Sequence, residues 1–331
     1  MPKKMFSFIT YLFTLGLGIF LIWLSVKDLK PEDIEKMKYA VSKANYWLLI
    51  PILFMGFLSH WSRAIRWKHL MEPLGLKPSS SNTFFAVMIG YLANLAFPRL
   101  GEVLKCTILA KYEKVPADKL IGTIIAERAF DLLCLLIIFF ITFLVQIDFA
   151  FELLAGLSKK NQAESGSNTS FITVGIIIAL VFILFIFRHK IAASSFFLKI
   201  REIAKNILSG IMSFKRMSNK KGFVLHTFII WAMYFGMIML GFQSVSETSS
   251  LGVNASFSVL SFGSVGMIVT PGGLGAYTGL VEKIVSLYGI EKAICVAISW
   301  IIWLVPTIII IIGGVISLIL LPFYNKSKHA E

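Results

Sequence analysis

The chain has 331 residues, of which 57% are hydrophobic, 14% aromatic and only 15% charged, and its mean hydropathy is +0.80. Soluble chains carry about a quarter charged residues, so this composition excludes a soluble globular enzyme and points to an integral membrane protein. A formal net charge of +14 does not argue for nucleic acid, because the basic residues gather at the expected membrane edges, where anionic lipid is the natural partner.

In chain order, apolar runs at 6–26, 46–61, 120–145, 171–187, 223–242 and 293–321 each read as a membrane-spanning helix. The first follows Lys3 and Lys4 and lacks a small-x-small cleavage site, so it reads as an uncleaved span. Two further apolar stretches, 83–112 and 251–288, are interrupted by proline and glycine, at Pro98 to Gly101 and at Pro271 to Gly275. They read as re-entrant helical hairpins. The polar segment 161–168 reads as an external loop. The stretch 196–212 places Phe196, Ile200, Ile203, Ile207 and Ile211 on one helical stripe and reads as an amphipathic helix on the inner leaflet.

At an offset of 173 residues Phe84 falls on Phe257, Gly90 on Gly263, Pro98 on Pro271 and Lys119 on Lys292. The order of elements repeats as well: span, broken segment, span. This predicts an all-α polytopic membrane protein in one domain, 1–331, with about six full spans and two re-entrant hairpins. Repeat one covers about 5–147 and repeat two about 171–322. Three spans per repeat invert the second repeat relative to the first. Placing the N-terminus in the cytoplasm puts 22 of the 32 Lys and Arg inside and nine outside, so the positive-inside rule sets both termini in the cytoplasm. A bacterial inner membrane is the expected location.

The segment "NLAFPRLGEVLKC" sets Arg99, Glu102 and Lys105 beside a helix break. Irregular backbone at membrane depth survives only where protein or a water-filled cavity satisfies it, and paired breaks in inverted repeats point to a transporter's binding site. Each break starts a new half-helix whose N-terminus favours an anion. Pro98, Gly101, Pro271, Gly272, Gly273 and Gly275 shape the turns, with Thr278 and Glu282 the polar groups of the second hairpin. Candidate headgroup contacts are Asn94, Arg99 and Lys105, joined by Arg63 and Arg66 of "SRAIRW" at the cytoplasmic rim, where Trp61 and Trp67 would form an aromatic belt. Within "AERAFDLL", Glu127, Arg128 and Asp131 lie inside an apolar span, where each charge costs about 2.5–3.5 kcal/mol on insertion scales. They therefore pair or face a cavity. Two roles stay open for Glu102, Glu127, Arg128 and Asp131: an ion-pair clasp that also neutralises Arg99, or a charge-balancing or proton switch at a ligand site.

The cysteines, Cys106, Cys134 and Cys295, lie far apart and read as reduced packing residues. The five histidines are scattered singly, so neither a metal nor a cofactor is expected. No P-loop and no nucleophile elbow is present.

In order along the chain, "SRAIRW", "NLAFPRLGEVLK", "ERAFDLL" and "PGGLGAY" resemble the lysylphosphatidylglycerol synthase transmembrane-region family, also called flippase-like, over about residues 5 to 322. That resemblance implies a lipid-translocating membrane module. In the full synthases of the family a soluble aminoacyl-transfer domain is attached; none follows the last span here, so the transfer reaction is not expected. Two departures stand out. Thr278 occupies a position where the family often has Glu, and Lys105 one where arginine is common. The expected function is movement of an anionic or polyprenyl-phosphate-linked lipid between leaflets, with anionic membrane lipid as partner. The alternatives are an intramembrane transferase and an accessory protein to a lipid-modifying enzyme.

Overall fold

The computed structural model describes residues 3–97, 99–146, 214–215 and 217–328, with side chains described from Leu12 to Lys326. The expected span at 171–187, the amphipathic stretch 196–212, the loop 161–168 and Pro98 lie outside the described residues. Among those described, every regular element is helical: α1 (Lys3–Val26), α2 (Pro31–Lys43), α3 (Leu49–Met71), α4 (Ser80–Ala96), α5 (Leu100–Glu113), α6 (Ala117–Val145), α7 (Lys220–Gln243), α8 (Val253–Val269), α9 (Ala276–Ser286) and α10 (Lys292–Lys328), with short 3₁₀ turns between several of them. The protein is an all-α membrane protein.

Among the described residues, four helical stretches are long and apolar enough to cross a bilayer: Tyr46–Leu74, Ala117–Val145, Lys220–Gln243 and Lys292–Lys326. A fifth arises if the pair Leu12–Val26 and Pro31–Lys43, bent by 102°, counts as one. The stretch containing α3 has the lowest mean hydropathy of the four, 1.4 against 1.9 to 2.8. It runs well past the expected end at Trp61, because Arg63, Arg66 and His69 are buried on the continuing helix rather than set at its rim. Trp67 is fully buried and so does not belong to an interfacial belt; its Nε1 donates to Thr123 Oγ1 at 2.8 Å.

The helices α4, α5, α8 and α9 have 17, 14, 17 and 11 residues. At 1.5 Å per residue none reaches the roughly 30 Å of a hydrocarbon core. They pack as two hairpins, α4 on α5 and α8 on α9. The first closes through glycine: a Cβ on Gly101 would stand 2.0 Å from the Gly90 carbonyl oxygen. Small residues let helix backbones approach in this way inside membranes. In the second turn Gly272, Gly273 and Gly275 take φ of 58°, 75° and 74°, which a side chain would strain. Both ends of α8 lie 173 residues after those of α4.

Each hairpin has its own core. Ala64, Trp67, Ala86, Val87, Leu109, Leu120 and Phe223 pack around the first, and Phe242, Val259, Val281, Val285, Ile298 and Ile302 around the second. The hairpins meet at their tips, where Gly272 packs against Leu95 and its carbonyl accepts from Trp303 Nε1 at 2.9 Å. Over the second hairpin lies α1, in backbone contact between Gly18 and Gly275 and with Ser25 donating to Glu282. Beyond the bend, α2 rests on α10, with Lys36 bonded to Glu291.

Candidate functional site

The charged residues that an apolar chain can least afford converge at one place. On α3, His60, Arg63, Arg66 and His69 recur at every third position and are all buried. Of these, Arg63 and Arg66 face α6, where Glu127 and Asp131 share a side one turn apart. Arg63 Nη1 donates to Asp131 Oδ2 at 2.7 Å and to Glu127 Oε1 at 3.2 Å, while its Nη2 reaches the Tyr234 hydroxyl of α7 at 3.2 Å. Arg66 Nη2 donates to Asp131 Oδ1 at 2.6 Å and lies 3.5 Å from Glu127 Oε1. From the first hairpin, Lys105 donates to Glu127 Oε2 at 3.0 Å. Arg128 completes the set, 3.4 Å from Glu127 and 3.9 Å from Asp131.

Burial makes this cluster costly and therefore informative. Glu127 and Arg66 are wholly buried and Lys105 is 3% exposed. Each such ion gives up several kcal/mol of hydration, which only good geometry offsets. Aromatic rings line the walls: Lys105 Nζ lies 4.4 Å from the Trp67 ring centroid, and Arg63 and Arg66 each lie 5.8 Å from the rings of Tyr91 and Phe223. Such cation–π contacts compensate part of the lost hydration. Glu127 stands ten residues into α6, about 15 Å from its start.

Several donors here remain unspent. Among the described residues Arg63 Nε, Arg66 Nε and Arg66 Nη1 are buried without a hydrogen-bond partner, as are His60 Nδ1 on α3 and His226 Nδ1 and Trp231 Nε1 on α7. Buried guanidinium N–H groups left over after two carboxylates have been shared out suit an additional acceptor.

The remaining residues singled out from the sequence are placed elsewhere. Arg99 is exposed at the first hairpin tip, in a left-handed conformation with φ 68°, and none of the ion pairs among the described residues includes it. Asn94 holds the turn: its Oδ1 accepts the Gly101 N–H at 2.7 Å. Glu102 lies 3.5 Å from the Asn94 amide, and its Oε2 is buried without a partner. In the second hairpin Pro271, Gly273, Gly275 and Thr278 are buried, with the Thr278 hydroxyl 3.3 Å from the Gly275 carbonyl. Glu282 is buried as well and takes the Ser25 hydroxyl. The ion pairs of Glu127 and Asp131 therefore run to Arg63, Arg66, Lys105 and Arg128, and not to Arg99. Tyr91, Tyr234 and Thr123 join it with no sequence signal beyond being polar residues in apolar helices.

Comparison with known proteins fits this picture. The lysylphosphatidylglycerol synthase TM region matches residues 11–314. The chain belongs to that family. The chain is also 23% identical over 312 residues to the UPF0104 membrane protein PH1989 of Pyrococcus horikoshii, an alignment covering 86% of this chain and 90% of that one. No solved structure matches. Family membership ties the apolar helices to a lipid-related role in the membrane, and the buried cluster is composed of residues from within the matched region.

Proposed function

We propose that this family member moves a phosphate-bearing lipid between leaflets, and that the cluster of Arg63, Arg66, Lys105, Glu127 and Asp131 holds the phosphate. The observation that carries the reading is the set of buried guanidinium N–H groups left unspent beside two shared carboxylates. Arginine matches phosphate in shape and charge. Glu127 and Asp131 hold the cationic site together with and without ligand, and the phosphate takes the N–H groups that they leave unspent.

The two hairpins support alternating access. They follow equivalent spans, touch at Leu95 and Gly272, and have first helices of equal length at the 173-residue offset. An inverted repeat with both termini in the cytoplasm, in a bacterial inner membrane, agrees with the charge bias. Setting aside Arg63, Arg66 and Lys105, which are buried for another purpose, leaves 19 Lys and Arg inside against nine outside. An intramembrane transferase is less well supported, because Glu127 is shared among four cations and makes a weak base.

The test is leaflet exchange of fluorescent anionic lipids in proteoliposomes. Wild type should exceed empty vesicles, and Arg66→Gln, confirmed as folded, should cut exchange by about tenfold or more, the loss of one charge-assisted hydrogen bond. Equal exchange in wild type and empty vesicles for every anionic lipid offered would overturn the reading.

A further inference from the structure

The cluster carries more positive than negative charge, and the size of the excess names a class of ligand. Among the described residues, Arg63, Arg66, Lys105 and Arg128 face Glu127 and Asp131 at 2.6 to 3.9 Å, four cations against two carboxylates. Around them the packed elements carry His60 and His69 on α3, His226 on α7, the phenols Tyr91 and Tyr234, and the thiols Cys106 and Cys134. Glu102, on α5, is bonded toward Asn94.

Resting on the reading of this cluster as the lipid-phosphate site, we propose that its ligand is a phosphomonoester headgroup, a dianion, and not a phosphodiester. Uncompensated charge in a buried site is costly. A diester brings one negative charge and leaves one cation unmatched. A monoester, whose second proton leaves near pH 6, brings about −1.5 to −2 at pH 7. The donor count agrees. Three guanidinium nitrogens, Arg63 Nε, Arg66 Nε and Arg66 Nη1, are unspent, and a monoester offers three strong acceptor oxygens where a diester offers two.

The experiment is native mass spectrometry of the detergent-purified full chain with dioleoyl phosphatidate, a monoester, and dioleoyl phosphatidylglycerol, a diester, at equal concentration. At pH 8 bound phosphatidate should exceed bound phosphatidylglycerol by about tenfold or more, since one extra unit charge acts at close range. At pH 5.5, where phosphatidate has regained its second proton, the ratio should fall toward one. The ratio of the two lipids, not the amount of either, is what is read. Arg128→Gln removes one unit of charge from a half-exposed position and should shrink the ratio at pH 8. If that variant does not fold, the wild-type pH comparison stands by itself.

Equal binding of the two lipids at pH 8, with Arg66→Gln weakening both, would overturn the monoester assignment while leaving the phosphate site in place. Binding of both lipids unaffected by Arg66→Gln would overturn the site and the assignment together. Displacement of phosphatidate by an equal concentration of inorganic phosphate would assign the site to free phosphate and overturn the lipid source.

Discussion

Lys105 Nζ donates to Glu127 Oε2 at 3.0 Å, and this one bond ties the first hairpin to the helix that follows it. Both partners are buried, so the pair differs in kind from the surface contact of Lys36 with Glu291, whose side chains are each half exposed. Exposed pairs contribute little. Buried ones are expensive to break from one side only.

An asymmetry between the two partners follows. Glu127→Ala leaves Lys105 buried without its carboxylate and Arg63 and Arg66 with Asp131 alone, and should destabilise the protein by about 3–5 kcal/mol. Lys105→Met leaves Glu127 with three guanidinium groups and should cost distinctly less. Thermal or denaturant unfolding in detergent measures both. Losses below about 1 kcal/mol for each would mean that the cluster is solvated and that its geometry carries little energy.

The crossing of α4 and α5 makes a second test. A methyl at Gly101 would meet the Gly90 carbonyl oxygen at 2.0 Å and the Asn94 side chain at 2.7 Å. Backbone cannot yield cheaply, so Gly101→Ala should open the hairpin and either prevent folding or lower stability by several kcal/mol, about the scale of an overpacked core or more. Gly122→Ala is the matched control, because nothing lies within 4 Å of its added Cβ on α6. It should be neutral or stabilising by up to about 1 kcal/mol. Two variants of similar stability would contradict the close approach.

How far the sequence reveals this depends on the range of the interaction. Spans, hairpin turns and the pair Glu127 and Asp131 are local patterns, governed by helix period and by the breaking power of proline and glycine, and they emerge directly from the chain. Which cation meets which carboxylate is a tertiary matter. Arg99 and Lys105 stand on the same short segment, yet Lys105 is buried against Glu127 while Arg99 is exposed at the tip. Their separation of six positions amounts to somewhat under two helical turns, enough to separate tip from core. Arg63 and Arg66 carry an i, i+3 signal, but their place just past the expected end of a span at Trp61 makes them read as a rim. Tyr234 offered none, since one hydroxyl in α7 gives no periodic mark.

The exposed tip itself invites substitution. Arg99 holds a left-handed φ of 68° at the start of α5, a conformation that costs a side-chain-bearing residue about 1–2 kcal/mol and glycine almost nothing. Arg99→Gly should therefore leave the unfolding temperature unchanged or raise it, and lipid exchange should persist. Arg66→Gln should impair exchange in the same assay. Loss of exchange in Arg99→Gly, with the fold intact, would move the headgroup contact from the cluster to the tip.

The last relationship joins the two halves of the chain far from the cluster. Asn82, at the start of α4, and Asn325, near the end of α10, exchange amide hydrogen bonds of 2.8 and 2.9 Å and are both buried. Replacing one leaves the other with an unsatisfied buried amide, so Asn82→Leu or Asn325→Leu should each cost about 1–3 kcal/mol. Replacing both removes the polar partners together. The double variant should then be no worse than the worse single one, a coupling of about 1 kcal/mol or more in a double-mutant cycle. Asn82 also donates to Glu113 at 2.6 Å, so Asn82→Leu should be the costlier of the two single changes. Additive losses in the cycle would show that each asparagine is served by its own neighbours, and that α4 and α10 are held by packing of Met88 and Leu92 on Gly313 and Gly314 alone.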